Sequence, residues 1–470
     1  MGKQKENCKV FTPVDIVQMM LNILGYTKNL YGQKVLENSC GDGSFLVEIV
    51  RRYIEDSRRR GYNKKKIKYG LEQDICGFEI DEANAQACIS NLDMIAKEYT
   101  LPQIKWNIVK EDVLKAQFAG DFKFIIGNPP YITYSALSVE NREFIRSNYE
   151  TCSEGKPDYY YAFIESALNH LSNNGKLVYL VPSNFFVTRF ASKLRNCILP
   201  SLTDVFDYTN KKLFPSALTS SAIVVCDKNA MPNSVKYHDV VNSTCVLVAK
   251  EHLAPKWVFR APSGITNDEI GRTRFGDVFP ASSSIATLYN KAFLLNENDP
   301  DVLTLNEEEI LRPAASPKSL ANGKKQYIIF PYFYDNNGAL NRYSDEDFLK
   351  GFPRAAEYLK HYKEELNKRD SDKSAKWFEY GRSQAIAHLN QEKLLLSTLV
   401  TNKVKIYELD ELTIPYSGIY ITQKNPDRSL AEAKSILESQ DFFEYIKMVG
   451  IQANGSSIRI SIKDINDYSF

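Results

Sequence analysis

The sequence predicts an α/β protein: a doubly wound, Rossmann-like parallel sheet followed by a second, mixed α+β domain. Three observations predict it. Over the first ~230 residues short apolar runs alternate with amphipathic stretches, the pattern of strands joined by helices that cover both faces of a parallel sheet. Several of those runs end in an acidic side chain or a small glycine-bearing turn, where open α/β sheets place their ligands. Beyond about residue 245 the alternation gives way to irregular segments and turn clusters, Ala261–Gly264 and Asn336–Gly338 among them.

In order, the apolar runs predict strands at Lys34–Glu37, Cys76–Glu79, Trp106–Val109, Phe122–Ile126 and Gly175–Val181, and the amphipathic stretches predict helices at Ser44–Asp56, Glu82–Lys97 and Tyr159–Leu171. The later part predicts strands at Gln326–Phe330, Lys403–Tyr407 and Ser457–Ile462, with helices at Ser344–Lys368 and Leu430–Leu437. Length alone allows about three domains; the change of pattern divides the chain into two, 1–245 and 246–470.

Composition narrows the class. Hydrophobic residues are 43% and charged residues 25%, the balance of a globular protein, and the net charge of +1 supplies no global field for nucleic acid. The eight cysteines are scattered with no Cys-x-x-Cys pair and the five histidines are isolated, which argues against a zinc or disulfide framework, and no metal site is expected. The opening MGKQKENCKVFTP has no apolar core and no apolar run approaches 18 residues, so a cytoplasmic location and no membrane partner are expected. The basic run RRRGYNKKKIK, 58–68, reads as a solvated helix end and loop before it reads as a DNA contact.

The candidate site follows the strand ends. In KVLENSCGDGSFL, 34–46, a strand ends at Glu37, crosses a turn in which Gly41 and Gly43 permit close backbone approach, and enters a helix at Ser44. The turn is not G-x-G-x-x-G, and Glu37 suits a cationic ligand better than a diphosphate. In GFEID, 77–81, Glu79, with Asp81 as the alternative, is placed to accept from both hydroxyls of a ribose. In KEDVL, 110–114, Asp112 is placed to accept from an exocyclic amine. The fourth strand runs into FKFIIGNPPYITY, 122–134. An aromatic amine is a poor nucleophile because its lone pair is delocalised into the ring. The Asn128 side-chain oxygen and the Pro129 carbonyl are two acceptors for its N–H groups. Pro129 and Pro130 restrict the turn beforehand, and Tyr131 offers a face on which a planar base stacks.

Taken together these motifs resemble the gamma class of DNA amino-methyltransferases, the adenine-N6 enzymes of bacterial restriction–modification systems. The resemblance runs over nearly the whole chain and has the gamma order, with FTP (Phe11, Thr12, Pro13) first. It implies a Rossmann-like S-adenosylmethionine-dependent methyltransferase domain at 1–245 and a target-recognition domain at 246–470. By resemblance, Phe11, Thr12 and Pro13 lie near the methionine part of the cofactor. ENSCGDG supplies Glu37, Ser39, Cys40, Gly41 and Gly43 to it, FEID supplies Glu79 and Ile80, EDV supplies Asp112 and Val113, and Asn128 borders it. In DYYYAFIESAL, 158–168, Phe163 packs on the cofactor adenine, and in LFPSALTSSAIVV, 213–225, Phe214 touches the flipped target base. The chain departs from the family in carrying Asn38 where Pro commonly follows the acid.

The resemblance further implies methyl transfer to adenine N6 in double-stranded DNA after base flipping, without a metal, and a cognate restriction endonuclease encoded separately as a partner. Asn at 128 favours adenine N6 over cytosine N4. IGRTRFGDVFPASSSIATLYNKAFLL (270–295), WFEYGRSQ (377–384) and IPYSGIYIT (414–422) resemble blocks of the recognition domain, where Arg382 either reaches phosphate or a guanine edge or is paired on a sheet surface. Asp427 with Glu432-Ala433-Lys434 imitates a nuclease pattern, but its spacing is too tight. Three alternatives stay open: a methyltransferase for adenine in structured RNA, one for a protein glutamine, and a non-catalytic DNA-specificity subunit.

Overall fold

Val35–Glu37 (β1) and Ile75–Phe78 (β2) are buried along their whole length, the signature of strands covered on both faces. They join Asn107–Val109 (β3), Phe122–Gly127 (β4), Leu171–Pro182 (β5), Leu202–Asp207 (β6), Ser221–Asp227 (β7), Ser234–Asp239 (β8) and Thr244–Ala249 (β9) in one nine-stranded sheet of order β3-β2-β1-β4-β5-β7-β6-β8-β9. The first five strands are parallel; β7 runs antiparallel to β5 and β6, and β9 antiparallel to β8. This computed structural model describes residues 12–118, 120–209, 220–253, 256–259, 272–299, 307, 309–453 and 457–470.

Helices Val14–Leu24 (α1), Ser44–Arg59 (α2), Lys64–Asp74 (α3), Glu82–Glu98 (α4), Val139–Asn148 (α5), Tyr160–His170 (α6) and Ser192–Ile198 (α7) complete this unit. α2 buries Phe45, Leu46, Ile49, Val50, Tyr53 and Ile54, an i, i+3/i+4 stripe, against the sheet. It starts at the ligand end of β1 and is 16 residues long, about 24 Å. Its basic end, with α3 behind it, therefore lies toward the opposite edge of the sheet. There Lys66 stands over Tyr62, Arg60 over Tyr62 and Arg58 over Tyr99; the basic run is the end of α2, a short loop and, where a loop was expected, the first turn of α3 capped by Asn63, packed on tyrosines.

The chain divides into two compact units, Met1–Phe259 and Arg260–Phe470. A boundary at 245 falls inside β9, whose backbone pairs with β8 from Thr244 to Ala249, so the sheet of the first unit runs past that point. The second unit holds two four-stranded sheets. One orders Ala281–Ser283, Ile419–Ile421, Lys393–Leu396 and Ile406–Leu409; the other orders Leu294–Asn296, Gln326–Ile329, Leu311–Ala315 and Ile414–Pro415. The helix expected at Ser344–Lys368 breaks into Asp345–Gly351, Pro353–Lys360 and Lys363–Asn367, because Pro353 has no N–H to continue the first. The strand expected at Ser457–Ile462 shortens to Ile458–Arg459, because the Ser461 side chain caps a helix, Ile462–Asn466.

Candidate active site

The strand order reverses between β1 and β4, and an open α/β sheet binds its ligand beyond the carboxyl ends of the strands at that reversal. Pairing Val35 with Phe124 and Leu36 with Ile125 brings Glu37 and the turn at Asn128 out at the same edge. The two turns are tied directly: the Ser39 hydroxyl donates to the Asn128 carbonyl at 3.3 Å.

The turn after β1 needs its glycines. Gly41 has φ +55° and Gly43 φ +91°, and a Cβ at Gly43 would stand 2.7 Å from the Cys88 sulfur on α4. The Gly41 amide donates to Glu79 Oε2 at 2.9 Å, and the Asp81 amide to Glu79 Oε1 at 2.8 Å, which fixes the carboxylate at the end of β2 with one lone pair of each oxygen still available. Asp81 instead caps α4, accepting from the Asn84 amide at 2.9 Å. Of the two acids, Glu79 faces the glycine turn and Asp81 holds a helix. Ile80 between them is 72% exposed, whereas Cys40 and Val113 are buried. The hydrogen-bonded Cys88 thiol, and burial, push the Cys40 thiol well up.

Asn38 is wedged in the same region. Its Nδ2 donates to the Phe163 carbonyl at 3.5 Å and its Oδ1 accepts from the Tyr179 hydroxyl. A buried amide thus links β1 to α6 and β5, and Tyr179 on β5 supplies the donor it needs. Phe163 is buried edge-on to Tyr159, rings 5.4 Å apart, and the Tyr159 hydroxyl reaches Asp112 Oδ2 at 3.3 Å. Sequence reasoning missed the Asn38–Tyr179 and Asp112–Tyr159 contacts; the tyrosine run 159–161 was the available signal for the second.

At the other turn, the Asn128 Nδ2 donates to the Thr12 hydroxyl at 3.3 Å. Thr12 is buried, and Pro13 after it forms the N-cap position of α1. The Pro130 carbonyl accepts from the Ile132 amide at 3.1 Å, and the Ile132 carbonyl from the Tyr159 amide at 2.9 Å, so the Asn128–Tyr131 turn is braced against the start of α6. The Tyr131 hydroxyl donates to the Leu180 carbonyl at 3.0 Å and its ring stands edge-on to Tyr160. Phe11 and Phe214 lie outside the described residues.

Two buried oxygens here lack any donor among the described residues: Glu37 Oε2 and Asn128 Oδ1. Burial, and then the surrounding Cys88, Asp42 and Glu79, push the Glu37 carboxyl well above its ordinary range. A buried acceptor left without a donor is expensive unless a ligand provides one. Glu37 Oε2 and Asn128 Oδ1 are thus two acceptors without a donor among the described residues, on the two sides of the switch point.

Residues 26–214, which include β1 to β6 and both turns, match the Eco57I restriction-modification methylase family. Likeness to methyltransferases also extends beyond residues 26–214. The chain is 26% identical over 466 residues to the Type II methyltransferase M.BstVI of Geobacillus stearothermophilus, covering 87% of this chain and 80% of the other. It is 23% identical over 465 residues to M.XhoI of Xanthomonas vasicola, covering 89% and 83%. In fold it is similar to the Type IIL restriction-modification enzyme MmeI solved in complex with DNA, with a TM-score of 0.59 at 16% identity over 97% of this chain. The chain spans 65% of MmeI, and at that identity the likeness is one of fold.

In the second unit, Arg382 is tied down: it pairs with Asp372 at 3.0 Å and Asp370 at 3.1 Å. The nuclease-like residues are likewise occupied, Glu432 by Arg428 and Lys434 by Glu408 at 2.8 Å.

Proposed function

We propose that the protein transfers a methyl group from S-adenosylmethionine to the N6 amine of an adenine extruded from double-stranded DNA, as the modification enzyme of a restriction–modification system. The observation that carries this reading is Asn128 Oδ1: a buried acceptor with no donor among the described residues, on a proline-braced turn at the switch point, within the stretch that matches a restriction-modification methylase family. When bound, S-adenosylmethionine supplies an electrophilic sulfonium methyl. Glu37 places a carboxylate near the positive charge of such a ligand, and Glu79 offers two oxygens to ribose hydroxyls. Asp112, held by Tyr159, is left for the adenine amine of the cofactor, with Ile80, Val113 and Phe163 around the ring.

Asn128 Oδ1 and the Pro129 carbonyl accept the two N–H groups of the target amine. This draws its lone pair out of conjugation and toward the methyl group. Tyr131 supplies the stacking face that holds the base once it has left the duplex. After transfer the amine nitrogen carries a positive charge, and its proton is acidic enough to pass to water without a strong base. The remaining residues, from about 260, are assigned to reading the DNA sequence, and the cognate nuclease to a separate chain.

Asn128→Ala tests the assignment. Methyl transfer to DNA should fall to background while S-adenosylmethionine binding, followed by calorimetry, stays within a few-fold. Normal turnover, or loss of cofactor binding with the fold intact, would remove Asn128 from the amine.

A further inference from the structure

In the second unit, five arginines meet acceptors, and two others, Arg272 and Arg459, are exposed to solvent. Arg274 pairs with Asp467, Arg342 with Glu379, Arg382 with Asp370 and Asp372, and Arg428 with Glu432, while Arg369 donates to four backbone carbonyls. Arg312 differs. It lies partly buried on the strand Leu311–Ala315, and among the described residues its guanidinium has no hydrogen bond and no ion pair.

What it has is an aromatic floor. The guanidinium carbon stands 4.3 Å from the centre of the Phe330 ring and 5.8 Å from that of Tyr334, two rings 22° from parallel. Phe330 is fully buried and its amide is bonded to the Ile310 carbonyl at 2.7 Å, so the floor is part of the packed core. The titratable groups that act on Arg312 are the phenols of Tyr334, Tyr380 and Tyr343, not carboxylates. The nearby Lys393 ammonium is already committed to the Asp410 and Thr413 carbonyls.

Stacking satisfies the face of a guanidinium and leaves its edge. Five N–H donors in a rigid fork, partly desolvated and without an acceptor, are costly in the free protein and complementary to two acceptors in one plane. On DNA that pair is O6 and N7 of a guanine, or two oxygens of one phosphate. We infer that Arg312 is a DNA contact of the second unit, its guanidinium held over the Phe330 ring so that the fork takes a coplanar pair of acceptors on the duplex. The inference rests on the proposed action on DNA and adds the residue that touches it.

The test uses the full chain. Wild-type protein is incubated with bacterial genomic DNA and S-adenosylmethionine, modified positions are mapped by sequencing, and a duplex carrying the mapped site becomes the binding probe. Arg312→Gln and Arg312→Lys are compared with wild type, after thermal unfolding shows which of them fold; Lys keeps the charge and loses the fork. Each folded variant should bind the probe on the order of tenfold more weakly, the loss of one bidentate pair. Relaxed selectivity at a single base pair identifies a guanine edge. Uniform weakening, with the salt dependence of log K reduced by about 1 for Arg312→Gln, identifies a phosphate. Wild-type affinity, selectivity and salt dependence in the folded variants would overturn the inference and leave the proposed function standing. Absence of any DNA modification by wild type would overturn both.

Discussion

The Asn128 amide is oriented by Thr12: its Nδ2 donates to the Thr12 hydroxyl at 3.3 Å, which leaves Oδ1 without a partner among the described residues. Thr12 comes from the segment before the first helix and Asn128 from the end of β4, so the N-terminal motif bears directly on the Asn128 turn. Thr12→Val should lower the single-turnover rate of methyl transfer roughly two- to tenfold, the worth of one hydrogen bond, with cofactor affinity little changed. Thr12→Ser should restore the rate. A Ser variant no better than Val would reduce Thr12 to a packing residue.

Glu37 makes the folded state sensitive to pH. Burial raises its pKa in the folded state, so its favourable contribution is complete below the ordinary value of 4.5 and is lost as pH climbs through the raised folded value. Glu37→Gln does not titrate. In ligand-free protein the melting temperature of Glu37→Gln relative to wild type should therefore rise as pH goes from about 4.5 to about 8, while its affinity for S-adenosylmethionine falls. A difference in melting temperature that is flat with pH would mean that the Glu37 carboxyl titrates as it does in the unfolded chain.

Tyr179→Phe removes the hydroxyl that serves Asn38 Oδ1 and leaves a buried acceptor unpaired. The expected cost is about 1–3 kcal/mol in chemical denaturation. Unchanged stability would show that Asn38 finds another donor.

Tyr131 separates ring from hydroxyl. The hydroxyl is fastened to the Leu180 carbonyl at 3.0 Å, so Tyr131→Phe should keep the stacking face and most of the activity, with a looser ring. Tyr131→Ala should lose about 1–3 kcal/mol of base stacking, read as weaker fluorescence enhancement of 2-aminopurine at the target position. Equal enhancement in the Ala variant would place the stacking face elsewhere.

The first unit was legible because its strands are short apolar runs that each end at a chemically distinct turn. Glu37, Glu79 and Asn128 all fall within two residues of a strand end, where a period-based reading looks for them. The cross-links were not legible, because no local pattern reports that Asn38 meets Tyr179 141 positions away, or Thr12 meets Asn128 116 positions away. The second unit resisted for a different reason. Its strands at Ile414–Pro415 and Ile458–Arg459 are two residues long, too short to show any period, and its register is set by pairing across distant segments. The same blindness drew attention to Arg382, which stands next to aromatics in sequence but faces two aspartates. Arg312 is brought to its aromatic floor only by the pairing of Leu311–Ala315 with Gln326–Ile329.

The measurement that bears most directly on the account is transfer of a labelled methyl group from S-adenosylmethionine to unmodified bacterial genomic DNA by the wild-type protein, with the product bases separated and the modified positions sequenced. N6-methyladenine recurring in one short sequence context is the predicted result. Label in cytosine, label taken up by structured RNA or protein in preference to duplex DNA, or no transfer by a protein that binds the cofactor, would contradict it.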